Sequence, residues 1–248
     1  MNAIILAAGL GTRLGDLTYD RPKALVTIAG RTMLEHQIRH LKKAGFDHIV
    51  INIHHFGNLI SDFLNKNDFG IDIRLSDETD MLLDTGGGIR MAMELFEDDT
   101  PILVHNVDIF SDTDLKEFFN NHLKSNVDVS LLVADRKTSR HLHFDDFGNL
   151  RGWNNDKNGK IRSPYANFKK EKCHPVAFQG IQVISNSLSK KLNKIAEAKF
   201  SITDFYVDNA PKISLKAVFA PISSQWVDAG KVEYLQKAED IIRTFYDN

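Results

Sequence analysis

Residues 3–15 read AIILAAGLGTRLG, an apolar run followed by a loop with three glycines. A run that is apolar at every position of residues 3–8 is typical of a parallel strand covered on both faces. Because open α/β sheets bind ligands at the carboxyl ends of their strands, the loop that follows is expected to face a ligand. These residues predict an α/β protein with a binding site at its first loop.

Apolar runs and helical spacing alternate in the same way through residue 134. A helix is predicted from about Thr32, where Thr32 and Glu35 can form a capping box and Gly45 is a stop signal. Three more helical segments are predicted: one from the helical spacing of residues 59–64, one opened by the glycines at 86–88 and one capped by Ser111. The predicted strands are 49–53, 71–75, 102–104 and 129–134. Repeated β-α-β units predict a Rossmann-like, mostly parallel (mixed) sheet flanked by helices.

The residue composition of the chain changes after residue 135. Residues 136–173 are polar with short alternating segments, which predict hairpins and loops inserted over the sheet. A strand then returns to the core at 176–184, and residues 230–246 have the spacing of an amphipathic helix. The apolar side of that helix carries Val232, Leu235, Ile242 and Phe245. No linker interrupts the chain, so residues 1–248 are predicted to form one domain with a small hairpin/loop insertion.

Composition disfavours several classes of protein. The chain has 248 residues, of which 42% are hydrophobic and 26% charged, as in a folded globular protein. Its 31 Lys and Arg against 33 Asp and Glu give a net charge of −2, which disfavours a nucleic-acid-binding protein. No apolar stretch approaches the roughly 20 residues that cross a bilayer, and the first residues lack the positive segment of a signal peptide. The lone Cys173 excludes an intramolecular disulfide, and together these features predict a cytoplasmic protein.

The glycine loop fits neither of two common nucleotide-binding patterns. Leu14 stands where the dinucleotide fingerprint G-x-G-x-x-G needs its third glycine, and Leu14 and Gly15 replace the glycine and lysine of the Walker A pattern. Arg13 and Lys23 still supply two cations, which suit phosphate oxygens in combination with glycine N–H groups. From the spacing alone, a phosphate-binding loop and a tight turn with exposed basic residues remain alternatives.

Two N-terminal segments, LAAGLGTRL at 6–14 and RPKALV at 21–26, resemble the paired signature of sugar-1-phosphate nucleotidyltransferases, the nucleotide-sugar pyrophosphorylases. Further matching segments follow in order along nearly the whole chain. They are Gly30, 34–36, 83–88, 106–108, Gly180, 202–204 and 226–230. The resemblance implies a nucleotidyltransferase-type α/β fold with a nucleotide-binding half at about 1–135. It also implies a sugar-binding insertion with return strands at 136–228, and a C-terminal helix at 229–248.

Two segments refine the resemblance within the family. LDTGGG at 83–88 and INIHHFG at 51–57 are most similar to N-acetylmuramate-1-phosphate uridylyltransferases, with mannose- and heptose-1-phosphate guanylyltransferases as near neighbours. The implied substrates are an NTP, with UTP favoured, and a sugar 1-phosphate, in nucleotide-sugar synthesis for the cell wall. The implied partners include no nucleic acid and no membrane, and the implied assembly is a monomer or a small homo-oligomer.

The resemblance also implies roles for individual residues. Arg13 and Lys23 would be catalytic, because the reaction brings two polyanions together while its anionic nucleophile needs no side-chain base. The implied nucleotide-binding residues are Leu6, Ala8, Gly9, Gly11, Thr12, Arg13, Lys23, Thr85, Gly86 and Gly87. The implied sugar-binding residues are Asn106 and Gly180. Without the family, the glycines at 86–88 could simply start a helix, and Gly180 could be an ordinary strand glycine.

Asp108 and Asp228 each follow an apolar segment and are the implied ligands of Mg²⁺, a hard cation that prefers carboxylate and phosphate oxygens. Without the resemblance, each is more readily explained as a turn or cap residue. Val107 departs from the family, whose members usually carry glycine directly before the metal aspartate, and this predicts a reshaped backbone.

A second departure concerns the acceptor phosphate. The family's common Glu-Lys-Pro motif, whose lysine grips the sugar phosphate, is missing. Lys169, Lys170 and Lys172 lie in roughly the right region, but they are equally typical of a solvated charge run. The sequence therefore leaves the residue that binds this phosphate unassigned.

Three further interpretations are disfavoured. His36 and His40 have i, i+4 spacing but do not form H-E-x-x-H, so no zinc site is predicted. A nucleotide-sugar-binding regulator without turnover is disfavoured because the candidate cations and aspartates are all present. A Rossmann-type oxidoreductase is disfavoured by Leu14 in place of the third glycine and by Lys23.

Overall fold

The protein is described by a computed structural model that covers residues 1–246. One mixed sheet forms its centre, with helices packed on both faces. The strands are β1 (Asn2–Leu6), β2 (Thr27–Ile28), β3 (Arg31–Thr32), β4 (His48–Ile53), β5 (Asp72–Asp77), β6 (Ile102–Asn106), β7 (Ile109–Ser111), β8 (Val129–Ala134), β9 (Arg140–Phe144), β10 (Leu150–Asn155), β11 (Lys160–Arg162), β12 (His174–Ile184), β13 (Leu215–Phe219) and β14 (Trp226–Asp228). The helices are α1 (Met33–Lys43), α2 (Gly57–Lys66), α3 (Asp84–Met93), α4 (Leu115–Ser125), α5 (Ser189–Leu192), α6 (Ile202–Asp208) and α7 (Leu235–Ile241).

The central part of the sheet has the strand order β5-β4-β1-β6-β12-β8-β13. Neighbouring strands run parallel in this part except for β12, which runs antiparallel to both β6 and β8. Six of these seven strands therefore point the same way. The predicted mostly parallel, mixed sheet flanked by helices is confirmed.

The first strand shows why the continuous apolar run belongs at the centre. Ala3 and Ile5 pack into the cluster that also holds Leu34 of α1 and Ala238 of α7. Ile4 faces the opposite way, into the cluster beneath α3, α5 and α6. Both faces of β1 are covered, as the absence of polar residues within the run predicts.

Helix α1 begins and ends where the sequence predicts. The Thr32 hydroxyl accepts a hydrogen bond from the Glu35 N–H at 3.1 Å, which satisfies one of the free donors of the first turn. Gly45 follows the helix with φ +94°, a conformation that glycine adopts at low cost.

The cap predicted for α4 is wrong. Ser111 ends β7, and its hydroxyl accepts the Thr113 N–H at 3.1 Å. Asp114 precedes the helix instead and accepts the Glu117 N–H at 2.8 Å. The correction is physical, because the capping side chain must directly precede the first helical residue, Leu115.

The hairpins predicted after residue 135 extend the sheet at one end of β12. Strands β9, β10 and β11 pair antiparallel in sequence, and β9 pairs with the first residues of β12, 174–176. The long strand β12 therefore belongs both to the central sheet and to this insertion. Within the insertion, Lys170–Lys172 form a single exposed 3₁₀ turn.

The C-terminal segment is helical but does not keep one period. Residues Val232–Tyr234 form a 3₁₀ turn, α7 follows, and Ile242–Tyr246 form a π-helical turn. Because these turns contain different numbers of residues, a face spaced for 3.6 residues per turn drifts. Val232 and Phe245 are accordingly 56% and 38% exposed, so their predicted place on the buried side is wrong. The last two residues of the predicted helix, 247–248, lie outside the described residues.

Across residues 1–246, no helix combines the length and apolar character needed to cross a bilayer.

Candidate active site

A cleft of about 1760 Å³ opens at the carboxyl ends of β1, β6 and β8. Pockets for one small molecule typically hold about 300–1,000 Å³, so this cleft has room for two substrates. Along its walls Lys and Arg outnumber Asp and Glu by nine to five, although the whole chain carries a net charge of −2. Such a local excess of cations draws polyanions into the cleft.

Ten residues predicted for the site line this cleft. They are Leu6, Ala8, Gly9, Arg13, Lys23, Thr85, Asn106, Asp108, Gly180 and Asp228. The other four, Gly11, Thr12, Gly86 and Gly87, are not among its lining residues.

The glycine loop is held in place from both sides. The Asn52 side-chain oxygen accepts the N–H groups of Ala7 and Ala8 at 2.6 and 3.3 Å. At Gly11 φ is +69°, and a Cβ there would lie 2.8 Å from the Cβ of Lys23. Glycine is therefore required at this position to let the loop pack against Lys23. Gly11 shapes the loop rather than forming the cleft wall.

Two cation–carboxylate pairs meet in the cleft. The Lys23 ammonium donates to Asp108 at 2.7 Å, and both side chains are largely buried. An Arg13 guanidinium nitrogen lies 3.6 Å from an Asp228 oxygen. A Cβ on Gly230 would lie within 2.6–2.7 Å of Arg13 and of both aspartates, so all three groups surround the same small space. The absence of a side chain at Gly230 lets them approach one another.

The Lys23–Asp108 pair keeps the carboxylate ionised. Burial acts to raise the pKa of Asp108, but the charge and hydrogen bond of Lys23 and the nearby charge of Arg13 outweigh it and leave this pKa below its ordinary value. Asp108 can therefore act as an anionic ligand at any physiological pH.

Asp108 and Asp228 suit a magnesium ion. Mg²⁺ is commonly bound by one or two carboxylates together with substrate phosphates, and these two carboxylates converge beside cations that also suit phosphate. Within residues 1–246 no group of three or more His, Cys, Asp or Glu is arranged to hold a metal. Two carboxylates as the donor set fit an ion that completes its shell with substrate oxygens and water.

The glycines of residues 86–88 pack helix α3 against its neighbours. A Cβ on Gly86 would lie 2.8 Å from the Phe200 carbonyl oxygen, and the Gly86 N–H donates to the same oxygen at 2.8 Å. A Cβ on Gly87 would meet the Ala198 carbonyl and would lie 2.9 Å from Leu83. Protein atoms therefore occupy the side of Gly86 and Gly87 on which a Cβ would lie. Of the predicted base-contacting residues, Thr85 lines the cleft.

A buried polar pair beside these glycines was missed by sequence reasoning. The Asn52 amide donates to one Glu78 oxygen at 2.7 Å, and the Leu83 N–H donates to the other at 3.0 Å. Gly88 makes room for this pair, because a Cβ there would lie 2.5 Å from Glu78 and 2.8 Å from Asn52. Both side chains line the cleft. The available signal was Asn52 itself, a polar residue within the otherwise apolar run 49–53.

Asn106 and Gly180 lie together on the cleft wall. Gly180 has φ +77°, and a Cβ there would lie 2.9 Å from the Asn106 amide nitrogen. Gly180 falls where the pairing of β12 with β8 shifts register, between Phe178 and Gln182. The glycine therefore serves both an irregular strand and a close approach to Asn106.

A family model described as nucleotidyl transferase matches residues 2–150, which include Arg13, Lys23 and Asp108. The chain belongs to this family. It is 41% identical over 109 residues to an N-acetylmuramate alpha-1-phosphate uridylyltransferase of Caulobacter vibrioides, covering 43% of this chain and 45% of the relative. It is 34% identical over 137 residues to a mannose-1-phosphate guanyltransferase of Yarrowia lipolytica, covering 54% and 38%. The chain thus spans less than half the length of these curated relatives.

Solved structures share the fold of this family member. HddC from Yersinia pseudotuberculosis, whose structure contains GMP-PN, superposes with a TM-score of 0.74 over 96% of this chain and 98% of that one. The sequence identity is 23%, so this likeness concerns the fold.

Val107 does not adopt the left-handed backbone conformation that favours glycine. The non-glycine residues with positive φ within residues 1–246 are Ala29, Phe56, Asp84 and Asn126. Val107 is fully buried in the cluster beneath α1, and its N–H donates to the Leu6 carbonyl at 3.2 Å. A valine fits here because its side chain points into the core, away from the cleft.

The second departure from the family is the missing Glu-Lys-Pro motif, and the structure shows which other side chains line the cleft. Lys169, Lys170 and Lys172 are not among the residues that line it. Arg136 and Trp226 do line it, although sequence reasoning assigned neither side chain a role. Arg136 lies two residues beyond the end of β8 in a polar stretch without periodicity, so no sequence pattern marks it.

Proposed function

We propose that this chain transfers a nucleotidyl group from an NTP to a sugar 1-phosphate, giving an NDP-sugar and pyrophosphate. One observation carries the proposal: the Lys23–Asp108 and Arg13–Asp228 pairs meet at Gly230 inside a basic cleft with room for two substrates. We propose UTP and N-acetylmuramate 1-phosphate as the substrates, because relatives named for that reaction are 41% and 40% identical to this chain over 109 and 120 residues. The product would serve cell-wall synthesis.

The proposed chemistry is one in-line displacement. An oxygen of the sugar phosphate attacks the α-phosphorus of the NTP, and the bond from that phosphorus to the bridging oxygen breaks as pyrophosphate leaves. The nucleophile is already anionic, so Arg13 and Lys23 act by neutralising and orienting phosphates rather than by moving protons. Gly9 lets the triphosphate approach the loop closely, because it carries no Cβ on the cleft wall.

Asp108 and Asp228 are the proposed ligands of Mg²⁺. When bound, the ion would neutralise charge on the phosphate oxygens, as divalent ions do in phosphoryl-transfer enzymes. Lys23 keeps Asp108 ionised and oriented for this role.

GTP is the second candidate donor, and Glu78 favours it. The carboxylate of Glu78 lines the cleft, and its two oxygens accept one hydrogen bond each from Asn52 and Leu83, which leaves further lone pairs. The pairing edge of guanine offers two N–H donors to such an acceptor, whereas uracil offers one. The guanylyltransferase relative is consistent with this candidate.

The deciding experiment measures pyrophosphate release with Mg²⁺ over a grid of donors and acceptors. The donors are UTP, GTP, CTP, dTTP and ATP, and the acceptors are the 1-phosphates of N-acetylmuramate, N-acetylglucosamine, glucose, mannose and heptose. Release with UTP and N-acetylmuramate 1-phosphate is expected. Release with GTP and mannose or heptose 1-phosphate would identify that pair as the substrates instead. No release with any pair, with nucleotide binding still detected by calorimetry, would favour a nucleotide-sugar-binding regulator without turnover.

Asp108→Asn tests the proposed metal ligand. The substitution keeps the side-chain volume but removes the charge, so turnover is expected to fall by at least about 100-fold. NTP binding should stay measurable by calorimetry and should lose its dependence on Mg²⁺. Asp16→Asn is the control, because Asp16 is exposed and does not line the cleft. Full activity of Asp108→Asn would contradict the assignment of Asp108 as a metal ligand.

A further inference from the structure

Arg136 lines the cleft and lies near both the predicted sugar site and the predicted metal ligand Asp228. It follows β8, and one of its terminal nitrogens donates to the Phe178 carbonyl at 3.3 Å, two residues before Gly180. Burial lowers the pKa of Arg136 below its ordinary value, although the nearby charge of Asp228 acts to raise it. The guanidinium is therefore close both to the segment assigned to the sugar and to Asp228, one of the predicted metal ligands.

The position of this guanidinium is fixed by packing. Its carbon lies 4.0 Å from the centre of the Trp226 ring, which is stacking distance. The ring is itself anchored, because its N–H donates to the Gln179 carbonyl at 3.0 Å. Trp226 thus ties Arg136 to the segment that contains Gly180 and, along β14, to Asp228. A guanidinium held this way is preorganised for a ligand.

Arg136 lacks a carboxylate partner of its own. Among residues 1–246 no Asp or Glu forms an ion pair with it, and its buried Nε has no hydrogen-bond partner. A half-buried cation costs free energy unless an anion compensates it. Arg162, by contrast, is paired with both Asp204 and Asp208. Arg136 itself lines a cleft that suits phosphates.

We propose that Arg136 binds the phosphate of the acceptor sugar 1-phosphate and so takes the role of the lysine missing from this chain. The inference rests on the proposed function. The planar guanidinium can donate two parallel hydrogen bonds to phosphate oxygens, which would fix the orientation of the attacking oxygen. Lys169, Lys170 and Lys172 then belong to the solvated surface of the insertion.

The test is steady-state kinetics of wild type, Arg136→Ala and Arg136→Lys with Mg·UTP and N-acetylmuramate 1-phosphate, or with the pair that the grid selects. Arg136→Ala is expected to raise the KM for the sugar 1-phosphate about 10- to 100-fold, as expected for a lost charged hydrogen bond. The KM for the NTP should stay within about 2-fold. Arg136→Lys should fall between, because it keeps the charge but loses the stacked fork.

Arg151→Ala is the matched control. The Arg151 guanidinium also stacks on an aromatic ring, that of Tyr165 at 3.6 Å, but Arg151 does not line the cleft. Its loss should leave both KM values unchanged. If Arg136→Ala does not fold, a raised acceptor KM with an unchanged NTP KM in Arg136→Lys carries the test.

The outcomes separate this inference from the function beneath it. An active wild type with an unchanged acceptor KM in Arg136→Ala would overturn the role of Arg136 and leave the proposed function standing. Equal rises of both KM values with a lowered Tm would also overturn it, since they indicate a purely structural arginine. A wild type silent over the whole grid would remove the proposed function, and the inference with it.

Discussion

At the scale of single residues, Gly9 and Gly86 serve opposite purposes. A Cβ on Gly9 would lie 3.6 Å from the Lys23 ammonium, an ordinary contact on the cleft wall. A Cβ on Gly86 would collide with the Phe200 ring and lie 2.8 Å from the Phe200 carbonyl oxygen. Gly86→Ala is therefore expected to lower the free energy of unfolding by about 1–3 kcal/mol. Gly9→Ala should leave stability unchanged but weaken NTP binding about 10-fold.

Urea unfolding and calorimetric titration with UTP measure the two effects separately. Loss of stability confined to Gly86→Ala and loss of affinity at Gly9→Ala would support the division. A stable Gly86→Ala with weakened UTP binding would mean instead that Gly86 faces the ligand.

The residues of the site differ in how far sequence could predict them. Arg13, Lys23 and Asp108 sit in recognisable motifs, so family resemblance places them without geometry. Their meeting at Gly230 depends on loops distant in sequence, and no local pattern encodes it. Arg136 shows the limit most clearly, because its position follows from Trp226, which lies far along the chain.

At the scale of elements, the cap of α4 gives a direct test. The Asp114 carboxylate accepts the Glu117 N–H at 2.8 Å, so Asp114→Ala is expected to lower the free energy of unfolding by about 1 kcal/mol. Asp114→Asn is the matched control, because asparagine caps about as well as aspartate and should retain most of the stability. Urea unfolding of the three proteins checks this. An Asp114→Asn as unstable as Asp114→Ala would show that the charge, not the cap, stabilises α4.

Element boundaries were predictable where a motif and a hydrophobic period agree. Thr32 and Glu35 begin an apolar stripe and a glycine ends it, so α1 was located correctly. Ser111 was wrongly predicted as the cap of α4 because serine caps helices well. The hydrogen bond from the Thr113 N–H to its hydroxyl is visible only in three dimensions. The buried face of the C-terminal segment was predicted wrongly because the turns on either side of α7 do not have the period of an α-helix.

At the scale of the whole molecule, the apolar strands and β-α-β order were enough to predict the central sheet. The antiparallel course of β12 was not predictable, since its direction depends on the path of the inserted hairpins. That reversal has a functional consequence. It brings Gly180 and the Phe178 carbonyl beside the carboxyl ends of β6 and β8, where Asp108 and Arg136 lie.

A buried histidine couples the central sheet to pH. His105 lies on β6, fully buried, with its Nδ1 2.8 Å from the Asn106 carbonyl oxygen and its Nε2 without a partner. Burial lowers the pKa of His105 from 6.5 to about 4. Between these values the unfolded chain binds a proton that the folded chain excludes, so the free energy of unfolding falls as the pH falls. One such group contributes at most about 1.4 kcal/mol per pH unit, or about 2 kcal/mol between pH 7 and 5.

His105→Asn is expected to remove this contribution. The asparagine amide can still donate to the Asn106 carbonyl oxygen but does not titrate, so the variant should lose about 2 kcal/mol less than wild type over that range. Urea unfolding at pH 7, 6 and 5 measures the slopes, with His55→Gln as the control that removes an exposed histidine. The comparison uses slopes because the smaller side chain also leaves a cavity, whose cost is the same at every pH. Equal slopes in His105→Asn and wild type would show that the folded sheet accepts the proton at His105.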